Sequence, residues 1–147
     1  MYKRQVKSPV KSFRDLEVYQ KTIQLSDEIT NLHFLKDAIF EKDKEEIKSI
    51  AEKIPKLIAE AYGDKFDSKE IAHKKLTEAV TLITNAVTKI DLLRQRFSED
   101  KEAKEILDKL LTNYQYQKIK ILNLRKAWDR VFTNYTQNEP GKADWRK

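Results

Sequence analysis

The chain of 147 residues has no cysteine, only two glycines and only three prolines. The absence of cysteine excludes disulfide bonds, thiolate-bound zinc, iron–sulfur clusters and thiol catalysis. So few turn-forming residues argue against an all-β fold, and two isolated glycines cannot form a Gly-rich phosphate loop. No apolar run approaches the roughly 18 residues of a membrane span, and no signal-peptide core follows the first methionine. These absences predict a helical, soluble, cytoplasmic protein without a membrane partner.

Charge is what the chain has in quantity, because 37% of its residues are charged and the net charge is +6. The charges are unevenly spread. Residues 1–12 carry four basic side chains and no acid, and residues 114–130 carry five basic side chains against one acid. Residues 37–46 instead hold five acids against two lysines. Positive charge concentrated in two segments indicates a polyanionic partner.

Apolar residues recur at helical spacing in four segments, each preceded by residues that can cap a helix. The predicted starts are Ser12, Asp43, Asp67 and residues 98–100. Because the connections are short, successive helices are expected to pack antiparallel. The sequence therefore predicts an all-α, up-down-up-down antiparallel four-helix bundle over residues 13–132. A basic flexible arm is expected at residues 1–12 and a flexible tail at residues 133–147.

The second helical segment contains a proline inside its apolar pattern. Pro55 removes a backbone donor and opposes the carbonyl of Ala51, at a cost of about 3 kcal/mol in an ordinary helix interior. We therefore predict a kink near Ala51. Gly63 is expected to end this helix in the left-handed conformation that glycine adopts easily.

Three helices carry more apolar side chains than one core face needs. In the first helix, Leu16, Tyr19 and Ile23 form one stripe and Val18, Leu25 and Ile29 begin a second; together they cover about 200°. Single apolar residues also lie outside the main stripes of the third and fourth helices. Such an excess favours a homo-oligomer over chance exposure. The predicted oligomer interface consists of Val18, Leu25, Ile29, Leu92, Ile119 and Leu122.

Two segments carry a family resemblance. Residues 13–25 match the pattern Phe-x-Asp-Leu-x-Val-Trp, with Tyr19 in place of tryptophan, and residues 54–63 match Ile-Pro, Ile-Ala-Glu and a final aromatic-Gly pair. In these motifs the chain resembles the bacterial four-helix-bundle family of 23S rRNA intervening-sequence proteins, which looks related to the accessory variability proteins of diversity-generating retroelements. The chain departs from the pattern at Lys56, Leu57 and Ala61.

The resemblance implies a bundle that assembles into a ring, most simply a homopentamer. It also implies a nucleic-acid partner, with RNA or an RNA/DNA hybrid favoured, and no enzymatic activity. In one branch of the family the protein would act as an accessory to a reverse transcriptase, and in the other it would be associated with rRNA. The motifs cover residues 13–63, whereas the third and fourth helices match mainly in pattern.

The residues give no sign of a catalytic or metal centre. His33 and His73 are the only histidines, and they belong to different predicted helices. A di-metal bundle needs two Glu-x-x-His motifs, and only one occurs, at Glu70 to His73. No Gly-x-Ser-x-Gly elbow is present. We therefore expect no enzyme, no cofactor and no metal.

The fourth helix has the best candidate for a binding face. If its apolar stripe points inward, basic side chains with one aromatic ring and Asn123 point outward or lie on the flank. Lysine and arginine contact phosphates without reading sequence, and an aromatic ring suits an unpaired base. The alternative is a protein-interaction scaffold that uses the extra apolar stripes and binds no nucleic acid. The predicted nucleic-acid-binding residues are Lys118, Arg125, Lys126, Arg130 and Tyr116, with Lys3, Arg4, Lys7 and Lys11 of the arm.

Overall fold

The computed structural model describes residues 12–137 of the chain, with side-chain surroundings as far as residue 130. This part is all-helical and contains no strand, so the all-α prediction is confirmed. The predicted arm and tail lie almost entirely outside it, as do Lys3, Arg4, Lys7 and Lys11. The last helix continues past residue 132, where the bundle was predicted to end. The four helices are α1 (Glu17–Thr30), α2 (Glu41–Asp64), α3 (Lys69–Arg96) and α4 (Lys101–Gln137).

Short polar side chains start three of the helical segments. Ser12 caps a 3₁₀ turn at Phe13–Asp15 in a capping box, and α1 follows it. The Ser68 hydroxyl, rather than the predicted Asp67, accepts a hydrogen bond from the Ile71 N–H at 3.2 Å and caps α3. The Asp100 carboxylate accepts one from the Ala103 N–H at 3.1 Å at the start of α4. Helix starts were therefore predicted to within a few residues.

The core lies between four helices that contact one another in a closed cycle. α1 contacts α2 and α4, and α3 contacts the same two helices. Burying an isoleucine or leucine side chain stabilises a fold by about 1.5–3 kcal/mol. The largest side chains with almost no exposure are Ile29, Ile47, Ile54, Ile58, Leu76, Ile83, Ile90, Leu107, Leu110, Tyr114 and Ile121.

The inward face of α1 differs from the prediction. Val18, Leu25 and Ile29 are buried in the core of the single chain, whereas Ile23 is exposed. These three residues are therefore not available to an oligomer interface, and that part of the predicted interface is corrected. The reason is Thr22, whose hydroxyl donates to the Val18 carbonyl at 2.7 Å. With its hydroxyl satisfied, Thr22 packs like an apolar residue and completes the buried stripe.

Pro55 and Gly63 both lie inside α2, which continues to Asp64. Pro55 is buried, so its ring belongs to the core. Gly63 was predicted to end the helix in a left-handed conformation, and this prediction is wrong because Gly63 has no positive φ and Lys65 closes the helix in a right-handed conformation. A Cβ added at Gly63 would meet no atom within 4 Å.

Ion pairs link α3 to both of its neighbours. On the α2 side, Lys89 lies 2.9 Å from Glu46 and lowers the pKa of that carboxyl, and Arg96 lies 2.9 Å from Asp43. Asp43, the predicted start of α2, thus serves as an ion-pair partner, since α2 begins earlier, at Glu41. On the α4 side, Arg94 lies 3.0 Å from Asp108. These partly exposed pairs fix the alignment of the helices more than they add stability.

Across residues 12–137, no helix combines the length with the apolar character that crossing a membrane requires.

Candidate nucleic-acid interface

Lys126 and Arg130 are the two exposed cations of the predicted basic face. Among the described residues neither forms an ion pair with a carboxylate. The single acid between residues 114 and 130 is Asp129, and its carboxylate contacts His73 of α3 instead. The positive charge at this part of α4 is therefore not neutralised by its described neighbours and is open to an anion.

Lys118 and Arg125 lie on the side of α4 that faces α3. Lys118 is half-buried and lines a groove of about 370 Å³ with Thr84 and Thr88. The Arg125 guanidinium donates a hydrogen bond to the Thr77 hydroxyl at 2.8 Å. The prediction placed Lys118 on the outward face, and it is corrected here, because Lys118 follows the buried Tyr114 by one helical turn.

Tyr116 is exposed on the other flank of α4, next to α1. The Lys120 ammonium lies 5.4 Å from the centre of its ring, within the range of a cation–π contact. Beside the ring is an opening of about 220 Å³ between α1 and α4. Tyr116 and Lys120 therefore place an aromatic face next to a positive charge, which also lies 3.8 Å from the Glu17 carboxylate of α1. Lys120 belongs to the candidate site although it was not selected from the sequence. The other residues that line the opening are Lys21, Gln24, Leu25, Glu28, Asn113 and Gln117.

Beneath this opening the contact between α1 and α4 contains buried polar atoms. The Tyr114 hydroxyl and the Gln117 side-chain oxygen are buried and have no hydrogen-bond partner among the described residues. Burial raises the pKa of Tyr114, and the negative charge of Glu28 raises it further. The unpartnered hydroxyl gives Tyr114 no role in chemistry, because it is enclosed in the core.

A histidine–carboxylate contact joins the start of α3 to the later part of α4. The His73 Nδ1 lies 3.1 Å from an Asp129 oxygen, at the edge of an open groove of about 600 Å³ lined also by Lys69 and Lys74. A histidine oriented by a carboxylate can act as a base, but the hydroxyl among the described residues that line this groove, that of Thr77, donates to the His73 carbonyl at 2.9 Å. Within the described part of the chain, no three His, Asp or Glu side chains converge as a metal site requires.

Four residues around the turn between α2 and α3 form what we call the lysine–aromatic cluster. Lys65 and Phe66 belong to the turn, Tyr62 to the end of α2 and Trp128 to α4. The Lys65 ammonium lies 5.0 Å from the ring centre of Tyr62, 4.6 Å from that of Phe66 and 5.3 Å from that of Trp128. Burial lowers the pKa of Lys65. The sequence indicated none of this, because Trp128 is remote in the chain and Gly63 was expected to end the helix before Lys65.

The groove between α3 and α4 continues into a face with few charges. Thr81, Thr84 and Thr88 each donate a hydrogen bond to a carbonyl one turn earlier, so they present methyl groups to the outside. Ile119, which lines the groove beside Thr84 and Thr88, is 55% exposed, and Leu92, one turn after Thr88 on α3, is 56% exposed. Leu122 of α4 is half-buried. Of the six predicted interface residues, these three remain accessible.

The structure thus divides the predicted basic face into parts. Lys126 and Arg130 are exposed and meet no carboxylate among the described residues. Tyr116 contacts Lys120 on the flank next to α1, whereas Lys118 and Arg125 lie against α3. Comparisons of the chain with protein-family models, with curated proteins and with solved structures gave no match.

Proposed function

We propose that this protein is a non-enzymatic, homo-oligomeric nucleic-acid-binding protein, with RNA as the favoured ligand. The observation that carries the proposal is the pair of exposed cations Lys126 and Arg130, which meet no carboxylate among the described residues, on a helix segment whose single acid is engaged by His73. Contacts of this kind bind phosphates of any sequence. The exposed ring of Tyr116, with Lys120 beside it, adds a surface on which an unpaired base stacks.

We also propose the up-down-up-down antiparallel arrangement of the four helices. The ion pairs support it, since Asp43 near the start of α2 meets Arg96 at the end of α3, and Asp64 at the end of α2 meets Lys75 near the start of α3. His73 likewise meets Asp129 near the far end of α4. Short connections between helices favour the same arrangement.

Assembly into a ring, most simply a pentamer, is part of the proposal. The face between α3 and α4 supports it, because Leu92 and Ile119 are exposed there and Thr84 and Thr88 have satisfied hydroxyls. A second copy that covers this face would remove apolar surface from water. Repeating Lys126 and Arg130 around a ring builds a positive field that one copy does not have.

The resemblance of residues 13–63 to the intervening-sequence and accessory variability proteins supports the same reading. Within it, the partner is rRNA, or an RNA/DNA hybrid handled with a reverse transcriptase. The Lys3, Arg4, Lys7 and Lys11 side chains of the arm would add phosphate contacts. For both branches the resemblance implies a ring of helical bundles with a nucleic-acid partner.

A salt-dependent binding titration tests the proposal. Single- and double-stranded RNA and DNA are titrated with the protein at low and at higher salt, comparing wild type with Lys126→Glu/Arg130→Glu. We expect binding at low salt that weakens steeply as salt rises. Removing two phosphate contacts from each subunit lowers the slope of log affinity against log salt by about 1.4 for single strands.

The matched control is Lys53→Glu/Lys56→Glu, which makes the same change in net charge on exposed positions of α2. If only total charge mattered, the two double variants would lose affinity equally, and α4 would not be the binding surface. Absence of binding by wild type at low salt, or binding unchanged in Lys126→Glu/Arg130→Glu, contradicts the proposed function.

A protein-interaction scaffold is the second candidate. It is favoured by the same exposed pair, Leu92 and Ile119, if a different protein covers them. Salt separates the two candidates, because phosphate contacts weaken with salt and an apolar interface does not.

A further inference from the structure

The lysine–aromatic cluster is a built feature that the contacts on α4 do not use. Its lysine lies within cation–π distance of three rings, and the rings also contact one another: the Tyr62 centre is 5.4 Å from that of Phe66 and 6.5 Å from that of Trp128. Lys65 forms no ion pair with a carboxylate among the described residues. The cluster therefore holds a positive charge that its rings stabilise only in part.

The part of the cluster that faces outward is the ring of Phe66. Phe66 is 68% exposed although it is a large apolar residue. Lys65 already occupies the space between the rings, so an ammonium group from another molecule has no room there. A ligand that fits must instead lie flat against Phe66 and carry negative charge toward Lys65. A nucleotide has both properties, because its base is flat and its phosphate is anionic.

We propose that the lysine–aromatic cluster is a stacking site for an unpaired base of a single-stranded nucleic acid. The base lies on the Phe66 ring, and the adjoining phosphate lies near the Lys65 ammonium. The inference rests on the proposed function and narrows its ligand to single strands, because a base inside a duplex has no free face to offer. The cluster includes Trp128 of α4, which is two residues from Lys126 and from Arg130 in the chain, although these cations project from the other side of the helix, so a strand that contacts both has to pass around α4.

The test uses Trp128 as its reporter. The chain has two tryptophans, so a full-length Trp145→Phe/Tyr116→Leu background leaves only the one in the cluster and also removes the exposed ring of Tyr116, the other proposed stacking surface. This protein is titrated at low salt with a short oligouridylate and with an abasic oligonucleotide of equal length that keeps its sugars and phosphates. We expect the oligouridylate to bind about tenfold more tightly, in line with the contribution of one stacked base, and to quench Trp128.

Two substitutions then isolate the ring. In Phe66→Ala the preference is expected to disappear, so that the oligouridylate and the abasic strand bind about equally, with binding of the abasic strand unchanged. Phe66→Leu keeps apolar bulk but has no aromatic face, and it is expected to lose the preference too. Ile39→Ala is the matched control, since Ile39 is an exposed apolar residue that precedes α2, whereas Phe66 follows it. Circular dichroism verifies that each variant is folded.

The outcomes separate this inference from the proposed function. If wild type binds both strands equally and both Phe66 variants bind as it does, the stacking site is refuted while phosphate binding stands. If wild type binds neither strand at low salt, both proposals fail. If Phe66→Ala lowers the mass measured by light scattering, a second copy covers the ring and the stacking site is refuted.

Discussion

Gly63 offers a sharp test of the structure, because two conformations of this residue predict opposite effects of the same substitution. Gly63 lies in the last turn of α2, has no positive φ, and has open space around the position of a Cβ. Glycine in a helix is less favourable than alanine by roughly 0.5–1 kcal/mol, because it loses more backbone freedom on folding. Gly63→Ala is therefore expected to stabilise the protein by about that amount.

The expected size of the effect is measurable. For a chain of this length the unfolding entropy is about 300 cal/mol/K, so the gain corresponds to a rise in Tm of roughly 2–3 °C. Thermal and urea unfolding are compared at one fixed protein concentration, because association would shift the midpoints by mass action. Gly63→Asn is the matched variant, since asparagine tolerates the left-handed conformation better than alanine and a helix less well.

The order of stability of wild type, Gly63→Ala and Gly63→Asn decides whether Gly63 is helical or left-handed. If Gly63 is helical, stability falls from alanine to asparagine to glycine. If Gly63 were a left-handed helix end, alanine would be the least stable, because a side chain in that conformation costs roughly 1–2 kcal/mol. A lower Tm for Gly63→Ala than for wild type would refute the reasoning.

Three further predictions concern the buried Tyr114 of α4 and the exposed residues Leu92 and Ile119. Tyr114→Phe removes a buried hydroxyl without a partner among the described residues, so it is expected to raise the free energy of unfolding by about 1 kcal/mol in urea titrations. Because the raised pKa of Tyr114 makes the folded state hold its proton longer than the unfolded state, wild type loses stability as pH rises above about 10, and Tyr114→Phe is expected to lose less. Light scattering should give a mass several times 17.4 kDa for wild type and for the control Ile39→Lys, but about 17.4 kDa for Leu92→Lys/Ile119→Lys. A clean monomer for wild type would remove the ring from the proposal.

The helices were predictable because apolar residues repeat at helical spacing over long stretches. The face of α1 was not, because Thr22 and Ser26 are buried polar residues that interrupt the apolar stripe in the sequence but not in the core. The hydroxyl of Thr22 is satisfied within its own helix, and no count of apolar residues registers that bond.

The candidate site was predicted in part for a similar reason. Lys126 and Arg130 follow from the helical period, and they are exposed. Lys118 was placed outward although it follows the buried Tyr114 by one helical turn, so a stricter count of the helical period would have put it toward the core side of α4. Residues that meet across helices, such as His73 with Asp129 or Lys65 with Trp128, depend on tertiary contacts that a single sequence does not contain.

The distribution of ion pairs gives a reason to assign the charges of α4 to a ligand. The cations that link the helices belong mostly to α3, where Lys75, Lys89 and Arg94 each meet a carboxylate of α2 or α4. Lys126 and Arg130 take no part in these contacts. Like charges without partners repel one another, and the repulsion grows when copies assemble. In the proposed ring, a bound polyanion would remove that repulsion, so the same side chains that weaken the empty assembly would hold a strand of nucleic acid against it.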